Sequence, residues 1–207
     1  MNGRKWMGCL ALCVTLLVSA CGLPEGDLTS PEGAYYTWVQ ARQKGDIDGC
    51  WQVMHPEVRG YLERWNQFER DTLLIVEMPI YPKSHRAAAL EIMDVERARL
   101  PDGKALFAHL LTRDGGQPLE MLQALGARVS TVDQVDEETV ALTTLGGDRV
   151  TVKRIDDTWS FSLTDESLQA LAQLVEKAEA NLARADANKK RLRGVVQGVQ
   201  SESPSGQ

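Results

Sequence analysis

Hydrophobic positions along this chain follow a helical period over much of residues 30–112 and again after Thr164, with a period of two between residues 127 and 163. In residues 30–65 they recur three and four apart: Tyr35, Trp38 and Val39, with Arg42 one turn on; then Ile47, Cys50, Trp51 and Met54; then Val58, Tyr61, Leu62 and Trp65. Such spacing lays one apolar stripe along a helix. Three successive amphipathic helices are therefore expected, each with a tryptophan and all facing one core. Ser30-Pro31-Glu32 reads as an N-cap, a first-turn proline and an acid at the positive end of the helix dipole. Gly45-Asp46 should end the first helix, while Pro56 closes the second and opens the third, which continues through Phe68.

The middle of the chain is harder to read. Leu73-Leu74-Ile75-Val76 fits either the end of the third helix or a buried strand, because a short apolar run has no decisive period. Pro79 and Pro82 break whichever it is. His85 to Leu100 reads as one helix ended by Pro101. Asp102 caps Gly103 to Thr112, Asp114-Gly115-Gly116 is a turn, and Pro118 to Leu125 is a short helical turn. Beyond Ala127, the segments Arg128–Val135, Thr139–Leu145, Arg149–Ile155 and Thr158–Leu163 are β-branched and alternating. The turns between them, Asp136-Glu137-Glu138, Gly146-Gly147-Asp148 and Asp156-Asp157, predict an antiparallel meander. Trp159, Phe161 and Leu163 share a face, and Trp159 is expected to lie buried beneath the helices.

Thr164 caps a long final helix whose stripe is Leu168, Leu171, Val175, Ala178, Leu182 and Ala185. It fits packing against its own domain or a coiled coil with a partner. The first is favoured, through Leu168, Leu171 and Val175, with the half beyond Leu182 projecting. Lys189, Lys190, Arg191 and Arg193 suit the negative end of its dipole, and residues from Gly194 onward are expected to be disordered. The fold class is thus α+β: N-terminal helices on an antiparallel sheet, a helical insertion in the middle and a long C-terminal helix.

The start of the chain has a different logic. Arg4 and Lys5 lead into an uncharged run from Trp6 to Ala20, the layout of a secretory signal. A membrane span needs roughly 20 mostly apolar residues, and this run is shorter and ends in Gly22 and Pro24. Val18-Ser19-Ala20-Cys21 resembles the lipobox of bacterial lipoproteins. The resemblance implies cleavage after Ala20 and diacylglycerol on Cys21; Gly22 in place of an aspartate implies sorting to the outer membrane, facing the periplasm. Several acyl chains would make such an attachment effectively permanent. The expected divisions are a signal peptide over 1–20, a tether over 21–29, a domain over 30–163, the C-terminal helix over 164–193 and a tail over 194–207.

Charge and cysteine usage narrow the functional classes. The formal charge of −6 becomes −8 once the signal leaves, because that segment carries Arg4 and Lys5 and no acid. An acidic chain of this kind has no electrostatic case for nucleic acid. Cys9 and Cys13 leave with the signal and Cys21 takes lipid, so Cys50 is the one thiol remaining and no intramolecular disulfide can form. Cys50 reads as a small apolar residue buried in a helix, with a reactive thiol or an intermolecular bridge as the alternatives.

The order of an aromatic helix, a Gly-Asp turn, a short helix, His-Pro, a third helix and a meander ending in Asp-Asp-Thr-Trp-Ser-Phe resembles the nuclear-transport-factor-two-like superfamily, in particular its bacterial lipoproteins. Ser30-Pro31-Glu32, Lys44-Gly45-Asp46 and Asp157-Thr158-Trp159 match their recurrent phrases over about residues 30–65 and 127–163. The resemblance implies a cone-like domain, and residues 66–126 depart from it by being helical. The superfamily hosts isomerases, dehydratases and binding modules, so fold does not choose among them.

Catalysis finds little support in the residues. His55, His85, His109, Asp46 and Asp48 are the candidate bases, but no two histidines have metal-ligand spacing, and neither a nucleophile elbow nor a glycine-rich phosphate loop is present. The expectation is a protein that is not an enzyme and uses no metal or cofactor: a lipid-anchored protein of the cell envelope that binds a ligand or another protein. Tyr35, Trp38, Trp51, Tyr61, Trp65 and Trp159 are the residues that could line an apolar pocket. The alternatives are a structural or assembly lipoprotein with a protein partner on its C-terminal helix, and a small-molecule isomerase or dehydratase.

Overall fold

The computed structural model describes residues 23–113 and 126–201. The signal segment with Cys21, the Asp114-Gly115-Gly116 turn, the Pro118–Leu125 turn and the last residues of the tail lie outside the described residues. Among the described residues the fold is α+β, with helices α1 (Pro31–Gln43), α2 (Ile47–Val53), α3 (Pro56–Glu77), α4 (Lys83–Ile92), α5 (Val95–Ala98) and α6 (Gly103–Arg113). Strands β1 (Val129–Gln134), β2 (Thr139–Thr144), β3 (Arg149–Ile155) and β4 (Thr158–Ser162) follow, and helix α7 (Asp165–Ser201) comes last. The described residues divide into two compact units, one formed by those up to His55 with 126–164 and the other by residues 56–113 with those from Asp165 onward. Residues 56–113 of the expected 30–163 domain thus group with the C-terminal helix.

In the first unit, the side chain of Ser30 accepts from Gly33 N at 3.1 Å and caps α1. Gly45, at φ 66°, ends that helix in the left-handed conformation that glycine adopts without a Cβ penalty. Asp46 then caps α2 through Gly49 N at 2.8 Å. The meander forms as predicted, with neighbouring strands antiparallel in the order β1-β2-β3-β4. α1 lies on β3 and β4, and Val39, Val140, Leu142 and Val152 are almost wholly buried between them. The rings of Trp38 and Phe161 stack with centroids 4.0 Å apart and planes 3° apart.

Two expectations for this unit need correction. Trp159 is half-buried at the margin of the core, and Phe161 takes the buried position. Trp159 pairs with Arg154 next to the Asp156-Asp157 turn, where the sheet face runs out. The segment expected to be a free tether is docked from Leu23 on. Leu23 and Leu28 pack against the core, and Leu28 O accepts from Trp159 N at 2.8 Å. Together with His55 N, which donates to Phe161 O at 2.7 Å, this covers the outer edge of β4, whose backbone groups would otherwise lack partners.

The second unit is helical, and α3 is its spine. Leu73–Val76 resolves as the last part of α3, with Leu73, Ile75 and Val76 buried and Leu74 exposed, a helical alternation. His85 to Leu100 is not one helix. It breaks at Met93, and Asp94 caps a new turn by accepting from Arg97 N at 3.1 Å. Asp102 caps α6 through Ala105 N at 2.8 Å. There Gly103 approaches α3 so closely that a Cβ would stand 2.6 Å from Glu63 N.

α7 packs on α3 through the predicted stripe, with Leu168, Leu171, Val175, Ala178 and Ala185 buried. The half beyond Leu182 does not project. Ala185 is buried with Ile75 and Tyr81, Leu192 packs on them, and the Tyr81 hydroxyl donates to Ala185 O at 2.8 Å. The helix also runs past Gly194 to Ser201, so the tail is not disordered from Gly194 onward. Lys189 and Lys190 therefore sit inside the helix, where both pair with Asp186, at 2.7 and 2.8 Å.

Candidate functional site

A groove of about 610 Å³ opens in the helical unit between α4 and α7, with α3 and α5 as its floor. Trp65, Thr72 and Val76 come from α3, which faces them inward because they fall on its buried stripe. Ala178, Ala185 and Leu192 extend the apolar floor along α7, and Ala98 closes it beneath α5. Ala89 and Ile92 form the α4 wall. Ile92 is 87% exposed, an unusual position for a large apolar side chain at a groove rim.

One end is fixed by a polar cluster. Glu69 Oε1 accepts from Trp65 Nε1 at 2.9 Å and from Arg97 Nη2 at 2.6 Å, while Glu69 Oε2 accepts from Arg97 Nε at 2.8 Å. This is a bidentate guanidinium–carboxylate pair, the geometry that makes such pairs strong and directional. The guanidinium also lies over the Trp65 ring, 4.9 Å from its centroid, and Asp94 Oδ2 stands 3.5 Å from Arg97 Nη1. Arg97 is therefore a satisfied group that orients Trp65 and is not a vacant anion site.

The α7 wall is different. Lys177, Arg184 and Arg191 line the groove at intervals of seven residues, with Asn181 and Asn188 between them. All three cations are exposed, and none makes an ion pair among the described residues. Counting Glu69, Asp94 and Arg97, the groove holds four cations against two carboxylates, in a chain whose formal charge is −6. It is thus a local positive field on an acidic protein, of the kind that steers anions. The seven-residue repeat of Lys177, Arg184 and Arg191 is visible in the sequence and is the signal that would have found this wall.

The residues expected to line a pocket do not come together. Tyr35, Trp38 and Trp159 belong to the core of the first unit, Trp51 is half-buried on α2, and Tyr61 is half-buried on α3. Of the six, Trp65 alone lines the groove. Trp38 serves packing, with its indole stacked on Phe161 and Arg42 5.4 Å from its ring centroid.

The candidate bases are equally dispersed. His85 lies at the rim of the groove, and His109 on α6 has a buried Nε2 without a hydrogen-bond partner among the described residues. His55 stands in a shallow cleft of about 510 Å³ in the first unit, walled by Asp136, Glu137, Glu138, Lys153 and Arg154. No apolar residue lines that cleft and its charges are mixed, as expected of a solvated hairpin turn. Asp46 is a helix cap. Cys50 is buried and unpaired, and burial, with the Asp46 carboxylate adding, pushes its thiol up to about 11. A thiol so placed stays protonated at neutral pH and is not a nucleophile. Among the described residues no group of three or more His, Cys, Asp or Glu side chains could hold a metal ion, and no helix is long and apolar enough to cross a membrane. No family model, no curated protein and no solved structure matches this chain.

Proposed function

We propose that this protein is a lipid-anchored lipoprotein of the bacterial cell envelope whose helical unit binds an anionic amphipathic ligand without transforming it. The anchor rests on the sequence of residues 1–21: a basic start, an uncharged run, and Val18-Ser19-Ala20-Cys21. The similarity of residues 30–65 and 127–163 to nuclear-transport-factor-two-like lipoproteins agrees with it, and Gly22 in place of an aspartate after Cys21 supports placement at the outer membrane, facing the periplasm.

The observation that carries the binding function is the groove along α7, apolar at its floor and lined by Lys177, Arg184 and Arg191, which make no ion pair among the described residues. A preformed concave site with few convergent polar groups is the usual form of a binding site. That the bidentate pair in the groove is already satisfied and that His85 stands at the rim favour binding over catalysis.

The test has two arms. Intact mass of the protein isolated from envelopes should show diacylglycerol on Cys21, and a free Cys21 thiol would overturn the anchor. A thermal-shift panel of single-chain carboxylates and acidic amphipathic peptides should contain members that raise Tm, as mass action requires of anything that binds only the folded chain. Arg184→Glu should remove the shift. A panel without any stabilising member would overturn the binding function.

A further inference from the structure

The occupant of the groove can be narrowed by the spacing of its charges. Along α7 the rise is about 1.5 Å per residue, so Lys177, Arg184 and Arg191 stand roughly 10.5 Å apart and the stretch from Leu174 to Leu192 runs roughly 27 Å. A single-headed amphiphile brings one carboxylate to one end of such a groove and leaves the other cations unanswered. A ligand that answers all of them must carry an acid about every 10.5 Å together with a continuous apolar face. An α-helix with Asp or Glu at every seventh position, running alongside α7, has this layout.

The walls agree with that shape. Ala89, Ala98, Ala178 and Ala185 line the groove where a helix axis would pass, and small side chains let helices approach closely. Ile92, at 87% exposure, and Leu174, at 41%, are left at the rim for apolar side chains of the occupant to cover. Asn181 and Asn188 alternate with the cations and can both donate to and accept from a partner's polar flank. α4 has no fully buried residue among its described positions, so this wall can adjust to the occupant more easily than α3, whose inner face is buried throughout.

We infer that the groove is a docking site for an amphipathic helix of a partner protein bearing carboxylates at seven-residue intervals, which would lie beside α7 with its acids on Lys177, Arg184 and Arg191. The inference rests on the reading that this groove is the binding site. It names what fills the site, and it is the helix-in-groove mode of peptide recognition. Exposed ion pairs are individually weak, so the apolar face supplies most of the affinity and the charges set register and orientation.

The test uses the full chain held in a lipid nanodisc and a labelled synthetic 21-residue helix with leucines at heptad core positions and glutamates seven apart, read by fluorescence anisotropy. The expected result is saturable binding that weakens as salt rises. The triple variant Lys177→Glu, Arg184→Glu, Arg191→Glu changes only exposed side chains. It should lose roughly tenfold in affinity, the order of a few exposed pairs, and should regain it for a peptide carrying lysines in place of the glutamates. Equal binding of a peptide whose acids are five apart, or of one with glutamine throughout, would overturn the inference. Dodecanoate saturating the groove with Arg184-dependent affinity while the peptide fails would overturn the helix and leave the binding site standing. If neither binds, both are overturned. A concentration-dependent doubling of native mass without peptide would identify a second copy of the chain as the occupant and overturn the partner helix.

Discussion

At the scale of single residues, the contrast between Phe161 and Trp159 is the most direct check on the strand register. Phe161 is buried, stacks on Trp38 and pairs with Val152, whereas Trp159 is half-buried at the sheet margin. Phe161→Ala should cost about 3–5 kcal/mol, as large aromatic truncations in cores do, and Trp159→Ala about half of that because part of its ring stays in water either way. Urea unfolding would show the order, and a larger loss at Trp159 would mean that β4 is shifted by two residues, because a one-residue slip would turn both rings out of the core. Two buried groups in the same unit set a pH limit. Burial, with the Asp148 carboxylate adding, pushes the Tyr35 phenol up to about 12, and Cys50 lies at about 11. Both folded values exceed the ordinary ones, so the native state holds protons that the unfolded chain has released. Their stabilisation is complete below about pH 9, the ordinary thiol range, and is lost as pH climbs through 11 and 12. Tyr35→Phe, which cannot ionise, should flatten the upper part of that loss in an alkaline unfolding series. An unchanged profile would show that Tyr35 ionises freely in the fold.

At the scale of elements, what could be read from the sequence depended on whether the signal was local. Helix starts were legible at Ser30 and Asp102, which each satisfy the orphan N–H groups of a first turn within three residues of themselves, whereas Asp46, read as the end of one helix, is also the cap of the next. Hairpins were legible for the same reason. Asp156, at φ 53°, and Gly147, at φ 88°, occupy turn positions where aspartate and glycine tolerate the left-handed region. Leu73–Val76 was ambiguous because its helical alternation depends on what surrounds it: Leu74 faces solvent while its neighbours are buried. The break at Met93 was missed because Ala, Glu and Leu run through it at good helix propensity, and only the cap by Asp94 marks the new start. The groove was not legible at all. Its floor, rim and one wall come from α3, α4 and α5, while the other wall is α7, which starts more than sixty residues further along the chain, and the aromatic residues expected to line a pocket are divided between two units. Only the seven-residue cation repeat on α7 was there to be read.

At the scale of the whole molecule, α7 is the element that decides between a self-contained fold and an assembly built on a shared helix. Its apolar stripe alone is compatible with both, because a heptad-like pattern does not say whose surface it meets. The structure places Leu168, Leu171, Val175, Ala178 and Ala185 against the chain's own α3 side, and it extends the contact to Leu192 over Ile75 and Tyr81. Two truncations separate the alternatives. Ending the chain after Arg193 removes nothing that packs on this cluster and should leave Tm unchanged. Ending it after Leu182 removes Ala185, the acceptor of the Tyr81 hydroxyl, and Leu192, and so bares Ile75 and Tyr81 to water. At roughly 25 cal/mol per Å² for the apolar area exposed, the loss is about 2 kcal/mol, a drop of several degrees in Tm for a unit of this size. The native mass should fall only by the residues removed. If instead the second truncation leaves Tm where it was and halves the native mass, the far half of α7 holds a second chain, and its cover over Tyr81 contributes nothing to the fold.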